Sequence, residues 1–329
     1  MKPLSGIETA IVRGVTTLAA PGGARGRLLV LIYHRVLAQP DGLLSGEPDA
    51  ALFKAQMELL ARCFHVLPLS EAAERLGAGS LPPRAACITF DDGYANNLTV
   101  AVPILAALGL PATVFVATGF IGADPMWNDV VIESVRRAGD VLDLSTLGLG
   151  VHRFPDLQAR RDALDRLLPQ LKYRALDERR ELALAIAQRA GCEPPRDLMM
   201  TEAQLRALAG QPGIEIGAHT VSHPILRELE PHAAQHEIAA SKERLEAITG
   251  KRVTSFAYPN GRPLRDYDAS HVAMARACGF GAAVSTAWGH ADARSDRLQI
   301  PRMLPWDRTA LRFALRLAGT YRGARAAAA

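Results

Sequence analysis

The stretch Ile88-Thr89-Phe90-Asp91-Asp92-Gly93-Tyr94 decides how this chain is read. Apolar, β-prone residues from Ala86 to Phe90 run into two adjacent carboxylates, and a glycine follows at once. A buried strand ending this way delivers two charges to one end of a sheet, where parallel α/β folds place their sites. Burying even one carboxylate is costly unless a metal or a hydrogen-bonded partner stabilises it. Alone, the stretch reads equally well as a strand and a polar turn, since Asp and Gly are ordinary turn residues. The surrounding chain has to decide.

Working outward, Leu28–Ile32 is a second continuous apolar run, the mark of a strand buried on both faces, and it ends in Tyr33-His34-Arg35. Helical spacing covers Leu52–Phe64, a short strand is expected at Val66–Leu69, and Ser70 is the expected cap of the next helix. Leu98–Leu108 reads as a helix with Pro103 near its start or kinking it, and Ala112–Ala117 as the following strand. Strand, helix, strand in this space is a βαβ unit, so the sheet is at least partly parallel. Further strands are expected at Ile214–Ala218, Val253–Tyr258, Gly281–Val284 and Leu298–Ile300, with helices at His232–Thr249 and Ser270–Ala277 between them. The alternation argues for an α/β barrel or open sheet. From about 121 to 210 strand patterns give way to helical ones (Asp129–Arg137, Pro155–Leu168, Leu176–Ala190), which predicts an all-helical insertion. The expected division is an amphipathic helix within 1–27, a main domain over 28–305, and a basic helix and tail over 306–329.

The composition is that of a globular protein: 329 residues, 49% hydrophobic and 22% charged. Lys+Arg of 38 against Asp+Glu of 34 leaves +4, too small an excess to argue for nucleic acid. The four cysteines form no C-x-x-C pair, which argues against a cysteine zinc site or redox motif. No apolar run approaches the ~20 residues of a membrane span. The N-terminal apolar pattern is broken by Glu8 and Arg13, unlike a signal peptide, so the expected location is the cytoplasm. Arg308, Arg312, Arg316, Arg322 and Arg325 on the last helix offer contact with an anionic membrane surface, with a solvated helix end as the plainer reading.

Four expected strands end in polar groups: His34, Asp91-Asp92, His219 and Tyr258. In a parallel fold such ends meet at one rim. His219-Thr220-Val221-Ser222-His223-Pro224 places two imidazoles four residues apart, and Pro224 favours a curled loop over a helix. Two histidines and a carboxylate suit Zn²⁺ or a related divalent ion with positions left open. Such an ion polarises a carbonyl and acidifies water, and a neighbouring carboxylate takes the proton. Adjacent Asp residues in an extended chain point to opposite sides, so Asp91 and Asp92 need not do the same work.

Thr89-Phe90-Asp91-Asp92-Gly93 together with His219-Thr220-x-x-His223 resembles the polysaccharide deacetylase family (NodB homology, carbohydrate esterase family 4), over roughly Leu28 to Pro305. The resemblance implies a distorted (β/α) barrel, Asp91 as general base, and Asp92, His219 and His223 as ligands of a divalent metal, Zn²⁺ first, with Co²⁺ or Ni²⁺ as alternatives. Phe256-Ala257-Tyr258-Pro259-Asn260-Gly261 is similar to the family's third motif, which implies that the Tyr258 N–H binds an oxyanion. The family's base-holding arginine is replaced by Phe256, and Arg302 is the candidate to supply the guanidinium. No histidine follows His290; instead Leu31-Ile32-Tyr33-His34-Arg35-Val36 resembles the circularly permuted branch, which includes deacetylases of poly-N-acetylglucosamine, and implies His34 as general acid. The function implied is removal of acetyl groups from N-acetylated sugars of a glycan or glycolipid. Hydrolysis of another amide or an acetyl ester, or non-catalytic sugar binding, stay open. Trp127, Trp288 and Trp306 are candidates to line the groove, although core packing is favoured for each; His271 and His290 are expected at the surface.

Overall fold

The computed structural model describes residues 3–123, 125–323 and 328–329. Its first half runs α1 (Gly6–Ala19), β1 (Leu28–Tyr33), α2 (Ala50–Cys63), β2 (His65–Val66), α3 (Leu69–Gly77), β3 (Ala85–Phe90), α4 (Val102–Leu108) and β4 (Ala112–Val116). Then come α5 (Trp127–Arg137), β5 (Val141–Leu144), β6 (Gly150–Arg153), α6 (Leu157–Lys172), α7 (Leu176–Ala190) and α8 (Glu202–Ala209). The last part is β7 (Ile214–Ala218), α9 (Pro231–Thr249), β8 (Ser255–Ala257), α10 (Ala269–Ala277), β9 (Ala282–Val284) and α11 (Ala310–Arg322).

The continuous apolar runs become strands buried on both faces: every residue of β1, β3 and β4 is buried. The seven-stranded sheet has the order β1-β3-β4-β7-β8-β9, and every pairing is parallel. β2 takes the first residues of β3, at Ala85 and Ala86, while β4 takes Thr89 and Phe90 on from there. The two edges of this curled sheet meet through the segment 300–303. Ile300 bridges Val284 of β9, and Met303 bridges Leu31 of β1. The Ile32 N–H donates to the Met303 carbonyl at 3.0 Å, and the Met303 N–H to Val30 at 2.9 Å. The result is the distorted (β/α) barrel, closed by isolated bridges where a strand was expected at Leu298–Ile300.

Several local expectations need correction. The insertion is not all helical: β5 and β6 form an antiparallel hairpin inside it. Val141 and Val151 are exposed and Leu142 and Leu144 buried, an alternation too short to stand out between helices. This hairpin packs with α5, α6 and α7 into a core of its own, including Val131, Leu167 and Ile186. α6 does not stop at Leu168 but passes through Pro169 to Lys172. Pro169 lies on the exposed face, where water can take the carbonyl it leaves unpaired. Ser70 does not cap α3, because Pro68 holds that position; Ser70 instead bonds Glu215 on β7. Pro103 sits at the start of α4, after a π-helical turn over Asn97–Ala101.

At the end of β3 the chain turns at Gly93, with φ of 89°. A Cβ there would lie 2.9 Å from Val116 Cγ1. Both the conformation and the space require glycine. Gly93→Ala is expected to destabilise the fold by about 1–3 kcal/mol, read as a lowered urea midpoint.

Candidate active site

Strand ends carry the site. Asp91 follows the last residue of β3, and its carboxylate reaches Arg302 on the closing segment. The ion pair is bidentate: Arg302 Nη1 donates to Asp91 Oδ1 and Nη2 to Oδ2, each at 2.7 Å. Arg302 is itself fixed by bonds to the Ser285 carbonyl at 3.0 Å and to Thr89 Oγ1 at 3.2 Å. Both partners are buried. Burial by itself would raise the Asp91 pKa; the charge and hydrogen bonds of Arg302, with His219 behind them, outweigh it and hold the carboxyl at about 2.

Asp92 turns the other way. Its φ of 75° lies in the left-handed region, as do Thr220 at 64° and His223 at 53° on the facing loop. Such backbone is costly for residues other than glycine and gathers at functional sites. Asp92 Oδ1 lies 3.5 Å from His219 Nε2 and 3.5 Å from His223 Nε2. His219 Nδ1 donates to the Ala257 carbonyl at 2.7 Å, which turns its Nε2 toward Asp92. Burial holds His223 down at about 3, against the pull of Asp92, so its ring stays neutral. Asp92 Oδ1 is buried with no hydrogen-bond partner, and the three potential ligand atoms lie within 4.8 Å of one another. A buried orphan carboxylate oxygen between two imidazoles fits a divalent cation.

The histidine loop is held by Glu237 on α9, a residue with no signal in the sequence. Its carboxylate accepts the Val221 and Ser222 N–H groups at 2.8 and 2.9 Å and the Ser222 hydroxyl at 2.6 Å. His34, just past β1, lines the same cleft, and its carbonyl accepts a bond of 2.9 Å from Asn97 in the π-helical turn. The cleft has a volume of about 670 Å³, and Trp127, Asn260 and Lys172 are among its walls.

Tyr258 does not fill its expected role. Its N–H continues the sheet by donating to Val284 at 3.2 Å. Its side chain is buried, stacked on Tyr267 with ring centroids 3.9 Å apart. The amide two residues on, at Asn260, has no acceptor among the described residues, lines the cleft, and has φ of 59°. The Pro259-Asn260-Gly261 turn was the available signal for it. Trp288 and Trp306 stack on each other at 5.7 Å beside Arg316, outside the residues lining the cleft. His271 and His290 are not surface groups. Both are buried, His271 bonded to the Leu226 carbonyl and His290 to Thr320.

A parallel barrel whose rim joins a clamped carboxylate to a two-histidine, one-aspartate centre defines a hydrolase of the deacetylase type. The family model for polysaccharide deacetylase matches residues 78–160 and 184–283, and the chain belongs to that family, whose members hydrolyse amide bonds. The curated Bacillus subtilis (strain 168) protein YxkH, itself named for polysaccharide deacetylase, is 24% identical over 267 residues, covering 80% of this chain and 66% of its own length. Two solved structures share the fold at a TM-score of 0.56. The Streptococcus pyogenes deacetylase PplD in complex with acetate is 20% identical, with 84% of this chain and 92% of that one covered. IcaB from Ammonifex degensii is 18% identical, with 88% and 97% covered.

Arg302→Met is expected to cost about 3–5 kcal/mol, because it strands a buried carboxylate. The depressed Asp91 pKa contributes stability that is complete above the ordinary carboxylate value of 3.8 and is lost as pH falls toward 2. In Arg302→Met the guanidinium's charge and hydrogen bonds are gone and burial raises the Asp91 pKa, so the acid loss disappears and stability instead falls as pH rises through the raised value. Urea midpoints measured from pH 2 to 7 on both proteins check the shift.

Proposed function

We propose that this protein is an N-deacetylase acting on N-acetylated sugars of a glycan or glycolipid, with Asp92, His219 and His223 holding a divalent metal. Zn²⁺ suits this ligand set best, with Co²⁺ or Ni²⁺ as alternatives. The observation that carries the reading is the division between adjacent carboxylates: Asp91 is bound to Arg302, and Asp92 is left with an unpaired oxygen between two imidazoles. When bound, the metal supplies Lewis acidity to the acetamide carbonyl and to water.

The chain's own groups do the rest. Asp91 stays ionised and accepts the proton of the attacking water as its oxygen bonds the carbonyl carbon. Arg302 positions that carboxylate, and the second lone pair on each Asp91 oxygen remains available to the water. The Asn260 N–H donates to the developing oxyanion. His34 gives a proton to the nitrogen as the C–N bond breaks, leaving acetate and a free amine. The same groups would serve another amide or an acetyl ester. A non-catalytic sugar-binding role fits less well, because strained backbone and a buried unpaired carboxylate oxygen have no use in it.

The membrane reading belongs to this proposal too, with the cytoplasm as the location. Its support is a face larger than the last helix alone. Leu311 and Leu315 are exposed on α11, beside exposed Ile7, Ile11 and Leu18 on α1, while Phe313 and Leu317 are buried in the core. Arg308 bonds the Ser45 carbonyl, Arg316 pairs with Asp307, and Arg325 lies outside the described residues. Among the described residues no helix is long and apolar enough to cross a membrane.

With N-acetylglucosamine oligomers as substrate, Asp91→Asn is expected to lower acetate release by about 10²–10⁴-fold while bound metal, read by mass spectrometry, stays unchanged. Acetate release that survives this change sinks the mechanism. The double variant Ile11→Asp/Leu315→Asp is expected to reduce co-flotation with anionic vesicles without changing the urea midpoint; equal flotation removes the membrane reading.

A further inference from the structure

Four cationic side chains line the cleft around the metal-site residues: Lys172 and Arg179 from the insertion, and Arg262 and Arg265 from the loop after β8. The acids lining the same cleft are Asp91 and Asp92. Asp91 is already matched by Arg302, and Asp92 faces the two imidazoles. None of the four cations has a carboxylate within salt-bridge distance among the described residues.

Arg179 is the most telling of them. It is only 4% exposed. Its guanidinium donates to the Lys172 carbonyl at 3.1 Å and lies 5.1 Å from the centre of the Trp127 ring. A carbonyl and an aromatic face leave most of its five donors unused and its charge unmatched. Burial holds its pKa down at about 10, still fully protonated at neutral pH. Burying an unpaired guanidinium costs stability, and a fold that keeps one at a cleft wall has a partner for it outside the chain. Lys172 reaches the cleft only because α6 continues past Pro169, and burial also lowers its pKa. The Arg265 guanidinium lies over the Tyr173 ring, 4.6 Å from its centre, and both residues line the cleft.

We propose that this cationic wall binds an oxyanion carried by the substrate beside the acetamide sugar, a phosphoryl or carboxylate group, and that the insertion thereby selects anionic glycans. This rests on the deacetylase reading. The wall is a binding device: it meets a part of the substrate that does not react, so it acts on affinity rather than on the bond-breaking step.

The test separates the two readings by using binding to the inactive Asp91→Asn protein. Three probes are compared by calorimetry: N-acetylglucosamine, its 1-phosphate, and a disaccharide of N-acetylglucosamine with a uronic acid. The proposal expects at least one anionic probe to bind about tenfold or more tightly than the neutral sugar, with the preference shrinking as salt rises. Which probe wins tells phosphoryl from carboxylate. Arg179→Met is expected to abolish the preference and Arg179→Lys to restore part of it. Arg262→Ala/Arg265→Ala, at two exposed positions, is expected to weaken it severalfold with an unchanged urea midpoint, so a folding failure of the buried variant does not hide the result. On the active protein these changes should raise KM for the anionic substrate and leave kcat near wild type. Equal binding of neutral and anionic probes overturns the proposal, even if acetate is released. A clear anionic preference without acetate release keeps the wall and removes the deacetylase reading.

Discussion

The buried ion pair between Asp91 and Arg302 is the constraint on which the rest of the structure depends. Neither charge can stand alone at that depth. The carboxylate comes from the end of the second long strand and the guanidinium from the segment that joins the last strand to the first. Satisfying the pair and closing the barrel are therefore one event. Once Asp91 is turned toward that seam, its neighbour has to turn away, and the left-handed backbone at Asp92 followed by Gly93 is how the chain does it. The second carboxylate then meets the two imidazoles across the rim. The separation of a clamped carboxylate from one left unpaired between two imidazoles follows from backbone geometry at two consecutive residues.

Around this centre the chain adds parts that aim groups without touching the chemistry. Glu237 ties down the histidine loop through two amides and a hydroxyl. The π-helical turn lets Asn97 hold the carbonyl of His34. Asp129, at the start of the insertion, is buried against Arg35 and accepts a hydrogen bond from Tyr94, so the insertion is anchored to the ends of the first and third strands. That anchoring brings α6 and α7 to the cleft wall and turns a separate small core into part of the binding surface.

Much of this was legible in residue order. Strands buried on both faces show as unbroken apolar runs, which is why those at Leu28–Ile32 and Ala86–Phe90 were plain. Polar residues at their ends marked the rim, and the spacing of His219 and His223 marked the candidate metal site. What stayed hidden had weaker local signals. The hairpin at 141–153 alternates over too few residues to stand out between helices. The strand expected around Ile300 has no room to be regular, because the segment bonds two different neighbours in four residues. Tyr258 looked like the oxyanion donor because its amide follows a strand, but that amide remains in sheet register with Val284, and the free donor falls at the next turn. Glu237 and Arg179 act over distances that only the fold creates.

The seam has a consequence for how the molecule comes into being. Asp91 and Arg302 are 211 residues apart along the chain. Recognisable family sequence ends at 283 and begins at 78, so Arg302 and His34 both lie beyond its borders. A chain folded only as far as the histidine loop already holds Asp92, His219 and His223, yet Asp91 has no counter-charge and the barrel has no last edge. Completing the rim therefore waits on a contact that spans most of the chain, which makes barrel closure a late and slow step of folding.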